Sequence, residues 1–81
     1  MFYTYVLYSE QFDRIYVGQT NNLQIRLDKH NSSKVRSTKP YIPWVMIYYE
    51  KFQTRSEAMK REKELKSHQG RKFIRKNFLL E

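Results

Sequence analysis

The hydrophobic and polar positions along the chain first mark three strand-like segments. Residues 2–9 (FYTYVLYS) are β-branched and aromatic, and a polar interruption at 10–13 separates them from a second such run at 14–18. Two runs of this kind joined by a short polar loop are typical of a β-hairpin. Residues 44–49 are apolar on both alternating faces, so this pattern predicts a third strand that is well covered on both sides.

Helix-capping residues and the spacing of apolar residues then predict the helices. A first helix follows the hairpin and continues to about residue 30, with Thr20 or Asn21 as its N-cap. A second helix continues to about residue 68 from a cap at Thr54 or Ser56.

Gly70 is expected to end the second helix, and residues 72–79 predict a short third one. A polar loop at 31–43 separates the first helix from the third strand. The elements therefore predict an α+β fold in the order ββα–β–αα, with one small sheet covered by helices in a single domain over residues 1–81.

The composition excludes several classes of protein. Hydrophobic residues make up 40% of the 81 positions and aromatic residues 16%, which is too much apolar area for a disordered tail. There is no cysteine, so neither a disulfide framework nor a thiolate zinc site can form. A chain this short buries too little surface for a deep pocket, so any active site must be shallow. No apolar run approaches the roughly 18 residues of a membrane span, and we expect a soluble, cytoplasmic protein without a membrane partner.

The charge of the chain indicates a polyanionic partner. Sixteen Lys and Arg against eight Asp and Glu give a formal net charge of +8. The stretch Arg55–Lys76 contains nine cations and three glutamates, which places +6 of that charge on one segment. A solvated basic face is the ordinary explanation, but this excess is too one-sided for helical i,i+4 pairs to offset it. Nucleic acid is therefore the leading partner.

Two tyrosines of the predicted hairpin are the first candidates for chemistry. If Ser9 pairs with Arg14 across the loop, Tyr5 lies opposite Gly18 and on the same face as Tyr16. The two hydroxyls are then diagonal neighbours, and Gly18 leaves an open position beside them. A loop one residue longer would turn Tyr5 to the other face. Tyrosine is also a common strand residue, so the pair alone does not establish a site.

Arg26, His30 and Glu62 are further candidates, because each is a polar residue beside an apolar stripe. Arg26 and His30 are helical neighbours, and Arg26 either binds an anion or lies over the core with its head in water. Glu62 lies between Ala58 and Leu65 on the core-facing stripe of the second helix. A carboxylate there needs a partner, either Arg26 in an ion pair or Mg²⁺, which binds through few carboxylates and keeps several waters.

Together these groups match the needs of phosphodiester hydrolysis. Two phenols, a guanidinium, an imidazole and one carboxylate lie in a strongly basic chain. The reaction needs a base for water, and a metal ion and an arginine for the negative charge of the transition state.

The chain also contains a set of motifs in a characteristic order. These are YTYVL at 3–7, YVG at 16–18, TNNL at 20–23 followed by Arg26-Leu27 and His30, KPYIPW at 39–44, YYE at 48–50 and SEAMKRE at 56–62. Their order and spacing resemble the GIY-YIG nuclease domain, and in particular the small stand-alone members of that superfamily. The resemblance covers residues 2 to about 76. The first motif reads Tyr-Thr-Tyr in place of Gly-Ile-Tyr, but the tyrosine that closes it is present.

The resemblance implies a three-stranded antiparallel sheet flanked by helices, and cleavage of DNA with one divalent ion, Mg²⁺ or Mn²⁺. Four residues match the catalytic positions of the family: Tyr5, Tyr16, Arg26 and His30. Glu62 matches the metal-binding glutamate, in agreement with its unusual placement among core positions. Which tyrosine assists the attacking water stays open, with Tyr5 slightly preferred. Asn77 is a late candidate for the asparagine that family members carry after the metal helix, and we do not assign it.

We therefore predict a metal-dependent endonuclease with little sequence specificity, with branched, nicked or damaged DNA as candidate substrates. Six cations are expected to contact phosphate: Lys34, Arg36, Lys39, Arg61, Arg71 and Lys72. A second copy of the chain, or a protein partner that supplies specificity, is compatible with so small a module. The alternative is a nucleic-acid-binding module on the same fold that lacks activity or depends on a partner, because the basic surface alone would account for binding.

Overall fold

The computed structural model describes residues 1–80, in which three strands form one antiparallel sheet with helices on both faces. The strands are β1 (Phe2–Ser9), β2 (Arg14–Thr20) and β3 (Val45–Phe52). The helices are α1 (Leu23–Asn31), α2 (Arg55–Lys66) and α3 (His68–Phe78), and a short 3-10 turn lies at 39–41. The predicted α+β fold, its three-stranded antiparallel sheet and the order ββα–β–αα are confirmed.

The sheet order β2–β1–β3 puts the N-terminal strand in the centre. The hairpin has the predicted register, in which Ser9 pairs with Arg14 and Tyr5 with Gly18. Because side chains alternate between the two faces of a strand, this register places Tyr5 and Tyr16 on the same face of the sheet.

One face of the sheet packs against α2 and α3, and we call it the α2–α3 face. Val6 of β1 and Val17 of β2 form a buried aliphatic cluster there with Leu65 of α2 and Ile74 of α3. A hydrogen bond of 2.6 Å from the Thr4 hydroxyl to a backbone oxygen of α2 adds a polar contact on the same face. This cluster is the main aliphatic core of the protein.

The opposite face, which we call the α1 face, is built largely from rings. Tyr5 and Leu7 of β1 pack against Trp44, and Leu23 and Leu27 of α1 cover them. The two faces thus bury residues of different chemistry, and the predicted tyrosine pair belongs to the α1 face.

β3 is an edge strand, and the prediction that it is well covered on both sides is wrong. It begins at Val45, and Val45 and Tyr49 are 55% and 54% exposed. The unbroken apolar run has another cause. Midway along β3 the register shifts by one residue, which is the signature of a β-bulge. As a result Ile47 and Tyr48 both pack against the cluster of the α2–α3 face instead of alternating.

Helix α1 begins later than predicted because its N-cap is Asn22, not Thr20 or Asn21. The Asn22 side chain accepts a 3.0 Å hydrogen bond from the backbone nitrogen of Ile25. Thr20 is still part of β2, whose pairing with β1 continues beyond the predicted end of the strand.

Helix α2 has the first of its two predicted caps and ends slightly earlier than expected. Thr54 and Glu57 form a capping box, in which each side chain bonds to the backbone of the other residue. The last residue of the helix is Lys66. No helix within residues 1–80 combines the length and apolar character that a membrane span requires.

Helix α3 begins at His68, so the predictions that Gly70 ends α2 and that the third helix begins at residue 72 are wrong. Ser67 separates the two helices, and its hydroxyl oxygen accepts a hydrogen bond from Gly70 N as the cap of α3. Gly70 lies inside α3, where a Cβ would overlap the backbone of Leu65. The glycine therefore permits close packing of α3 on the end of α2 instead of breaking a helix.

Candidate active site

The tyrosine pair lies side by side on the α1 face. The ring centroids of Tyr5 and Tyr16 are 6.3 Å apart. A Cβ at Gly18 would lie 2.6 Å from the Tyr5 hydroxyl oxygen and 3.0 Å from the Tyr16 ring. The missing side chain at Gly18 therefore makes room for both rings over β2.

Tyr5 is completely buried and lies at the centre of a hydrogen-bonded chain. Arg26 Nε donates to its hydroxyl oxygen at 3.3 Å, and the same hydroxyl lies 2.9 Å from His30 Nε2. Burial raises the pKa of Tyr5 to about 12, although the hydrogen bond from Arg26 acts in the opposite direction. Tyr5 is therefore a neutral phenol at neutral pH and has a proton to donate.

His30 Nε2 accepts the hydrogen bond of the Tyr5 hydroxyl, because the other ring nitrogen carries the ring hydrogen. The imidazole is completely buried, and Nδ1 lies 2.8 Å from the Thr38 hydroxyl. That hydroxyl donates to the backbone oxygen of Val35 at 3.3 Å, so it accepts from His30. The network assigns the tautomer with hydrogen on Nδ1, which leaves Nε2 free for Tyr5. Burial and, secondly, the charge of Arg26 lower the pKa of His30 to about 4, so the ring is neutral.

Arg26 is half-buried and has phenols as its partners. Its hydrogen bond to Tyr5 and, to a smaller extent, the neighbouring Tyr16 phenol raise its pKa, so the guanidinium stays charged. None of the ion pairs within residues 1–80 includes Arg26. A half-buried guanidinium that has only neutral partners can still bind an anion.

Glu62 occupies the position on α2 that the sequence pattern indicated. The residues on either side of it along the stripe, Ala58 and Leu65, are buried, and 22% of the Glu62 side chain is exposed. Its carboxylate forms an ion pair with Lys66 Nζ at 2.7 Å. Glu62 therefore pairs with Lys66, and the predicted alternative of an ion pair with Arg26 is wrong.

Glu62 is near enough to the tyrosine pair for its negative charge to contribute to the raised pKa of Tyr5. Within residues 1–80 no three His, Asp or Glu side chains are grouped as metal ligands. A metal ion here would have Glu62 as its protein carboxylate and water and phosphate oxygens as its other ligands, which is a coordination that suits Mg²⁺. Asn77 instead donates to the backbone of Phe73 in its own helix, at 2.8 Å.

The six cations predicted to contact phosphate are not equivalent. Five of them are exposed, three in the loop between α1 and β3 and two on α3: Lys34, Arg36, Lys39, Arg71 and Lys72. Arg61 is different, because it forms ion pairs with Glu50 at 3.0 Å and with Glu64 at 3.3 Å. Its charge is therefore largely offset within the protein.

Thr38 is the site residue that the sequence pattern did not reveal. Asn31, at the end of α1, exchanges hydrogen bonds of 2.9 and 2.7 Å with the backbone of Trp44. The Trp44 indole in turn donates to the backbone oxygen of Thr38 at 2.9 Å. These bonds hold the loop against α1 and place Thr38 beside His30. A polar residue in a polar loop carries no periodic signal, so only the tertiary contacts identify it.

Comparisons with known proteins agree with this arrangement. A protein-family model described as the GIY-YIG catalytic domain matches residues 1–76. A UPF0213 protein of Staphylococcus haemolyticus is 38% identical over 66 residues, which cover 80% of this chain and 79% of that protein. A UPF0213 protein of Staphylococcus aureus is 36% identical over 62 residues, which cover 75% and 76% of the two chains. No solved structure gives a significant match. The chain thus belongs to the GIY-YIG family and has its nuclease-type fold.

Proposed function

We propose that this chain is a divalent-metal-dependent endonuclease that hydrolyses DNA phosphodiester bonds with little sequence specificity. The observation that carries the proposal is the hydrogen-bonded chain from Arg26 through Tyr5 and His30 to Thr38, with Glu62 near Tyr5. The match to a catalytic domain of a nuclease family supports DNA as the substrate.

Glu62 is the residue that we expect to hold one Mg²⁺ or Mn²⁺ ion. When bound, such an ion polarises the scissile phosphate and helps water to lose a proton. Lys66 now bonds to the Glu62 carboxylate, and this exposed lysine can be displaced at small cost because surface ion pairs contribute only about 0–1 kcal/mol.

Tyr16 is the phenol that is open to a substrate. Tyr5 is completely buried and its hydroxyl has partners on both sides, whereas Tyr16 is partly exposed at the same site. The family resemblance slightly favoured Tyr5 for contact with the attacking water. On the basis of burial we assign that contact to Tyr16, and we assign to Tyr5 the positioning of Arg26.

Arg26 would stabilise the negative charge that develops on the phosphate. Because Tyr5 holds its Nε, the guanidinium is oriented before the substrate arrives, and a donor of this kind contributes a factor of about 10²–10³ to kcat. A bound phosphate also offsets the Arg26 charge that lowers the pKa of His30. That pKa then rises, and His30 Nε2 becomes a better acceptor for the Tyr5 proton.

The test is a cleavage panel of linear, nicked, flapped and four-way DNA with Mg²⁺ or Mn²⁺. Glu62→Gln should reduce cleavage by about 10²-fold or more, because it removes the metal carboxylate, and should leave DNA binding in EDTA unchanged. Glu64→Gln is the matched control, since it makes the same change on the same helix at a more exposed position and should cut like the wild type.

Equal residual activity in the wild type and in Glu62→Gln would indicate a contaminating nuclease. DNA binding without any cleavage across the panel would favour the other candidate function, a nucleic-acid-binding module that needs a partner for activity. The net charge of +8 is the observation that favours this second function, because it supports binding without chemistry.

A further inference from the structure

An open cleft of about 370 Å³ lies beside the candidate active site, between the end of β2, the start of α1 and the start of α2. Arg26 lines this cleft and also donates to Tyr5, so the cleft is continuous with the site of the proposed chemistry. Its volume is within the range of small-ligand sites. We propose that the cleft binds an unpaired nucleotide of the strand that is cut, an inference that rests on the nuclease function proposed above.

The cleft is lined by cations that have no acidic partner. Arg26, Lys29 and Arg55 line it, none of its lining residues is acidic, and none of the three forms an ion pair within residues 1–80. Arg55 is held in place by neutral groups, since it donates to Gln19 Oε1 at 3.3 Å and lies 4.9 Å from the centre of the Phe2 ring. Cations arranged in this way around a concave site attract phosphate.

A groove on the other side of α2 has the opposite balance of charge. Lys60 and Arg61 line that groove, but so do three glutamates: Glu50, Glu57 and Glu64. Arg61 is moreover ion-paired with two of the three. The same helix therefore presents a cationic end at Arg55 and a neutralised groove further along, and phosphate should prefer the first.

The uncharged residues of the cleft suit a nucleobase better than a bare phosphate. Asn21 is exposed in the turn before α1, and its side-chain amide has no hydrogen-bond partner within residues 1–80. Ile25 is 54% exposed and gives the cleft an apolar surface. An amide can donate to and accept from the edge of a base, and an apolar side chain can lie against its face. In a duplex the Watson–Crick edges are paired and the faces are stacked, so only an unpaired nucleotide offers phosphate, Watson–Crick edge and face together.

The test measures binding in EDTA, where no metal-dependent cleavage occurs. Two fluorescein-labelled probes are used, a short single strand of mixed sequence and a blunt duplex that contains it. Anisotropy titrations at several salt concentrations give the affinity and its dependence on salt. Thermal unfolding of every variant checks that it is folded.

The cationic part of the cleft is tested with Lys29→Gln and Arg55→Gln. Each should lower the slope of log K against log salt for the single strand by about 0.7, the contribution of one phosphate contact. Lys60→Gln is the matched control, because it removes the same charge from the glutamate-lined groove and should leave the slope unchanged.

The amide of the cleft is tested with Asn21→Ala. This variant should weaken binding of the single strand about threefold to tenfold, leave the salt slope as it is, and leave duplex binding unchanged. Equal losses in Lys29→Gln and Lys60→Gln, or an equal loss on both probes in Asn21→Ala, would overturn the proposal, since the cleft would then be an ordinary part of a basic surface.

The outcome is separate from that of the cleavage panel. A chain that binds the single strand through the cleft but never cuts DNA contradicts the proposed nuclease function and leaves the nucleotide site standing. Cleavage that depends on Glu62, together with cleft variants that bind like the wild type, contradicts only the nucleotide site.

Discussion

The two faces of the sheet are buried through different interactions. On the α2–α3 face the buried residues are mainly aliphatic, as Leu65 and Ile74 illustrate, and the one buried hydroxyl described there, that of Thr4, bonds to the α2 backbone. On the α1 face the buried groups include Tyr5, His30 and Thr38, which satisfy one another through hydrogen bonds. No buried side-chain nitrogen or oxygen among residues 1–80 lacks a partner.

This difference separates the face whose packing mainly stabilises the molecule from the face to which we assign the proposed chemistry. An aliphatic cluster tolerates a change of shape at a cost in stability that depends on the cavity left behind. A buried polar network instead requires every partner, because one unsatisfied group in a low-dielectric interior is costly. Substitutions on the α2–α3 face should therefore affect stability alone, whereas those on the α1 face should also affect pH dependence or activity. The following predictions test this difference.

The largest effect on stability is expected from the α2–α3 face. Ile74→Ala should lower the free energy of unfolding by about 2–5 kcal/mol, because it leaves a cavity among completely buried residues. Cleavage per folded molecule should stay unchanged. Urea unfolding and cleavage assays at low temperature measure the two quantities, and Ile74→Val should cost only about 0.5–1.5 kcal/mol. A loss of specific activity comparable with that of Glu62→Gln would show that the faces are not independent.

The next largest effect comes from the α1 face and depends on pH. The pKa of His30 is about 4 in the folded chain, against about 6.5 when unfolded, so the unfolded state binds more protons between these values. Stability should be fully present above about pH 6.5 and should fall by about 3 kcal/mol as the pH is lowered to about 4. Urea unfolding across this range measures the loss. His30→Gln should remove most of this dependence, and an equal dependence in both proteins would contradict the assignment.

The smallest of the three effects concerns a single hydrogen bond. Thr38→Val leaves the Nδ1–H of His30 buried without an acceptor, which should cost about 1–3 kcal/mol. It should also lower kcat by about tenfold or more, with KM little changed, because the tautomer that accepts from Tyr5 is no longer favoured. Thr38→Ser keeps the hydroxyl and should restore both values. If serine behaved like valine, the contribution of Thr38 would be packing of its methyl group.

Local patterns predicted the hairpin and the placement of several candidate residues in the fold. The register that pairs Tyr5 with Gly18 follows from the length of the polar loop, and the periodicity of α2 places Glu62 between two buried positions. Both inferences use short-range geometry, which a sequence carries directly.

Long-range packing limited the other predictions. The apolar run around Ile47 results from a bulge at an edge strand, and its pattern is indistinguishable from that of a covered strand. Gly70 permits two helices to touch, yet in the sequence it looks like a helix end. Thr38 depends on how the loop folds back onto α1, and the charge of Arg61 is offset by Glu50, eleven positions away and on another element.

The space at Gly18 helps to distinguish related sequences with an intact site from those whose site is damaged. A chain could keep both tyrosines, the arginine, the histidine and the glutamate, and yet carry alanine at this position. The added methyl group would then lie within 2.6 Å of the tyrosine oxygen and displace the hydroxyl on which the arginine and the histidine depend. A gene that has lost only this glycine would pass a search for catalytic side chains while encoding a damaged site. The glycine is thus a stricter criterion for an intact site than the five polar side chains themselves.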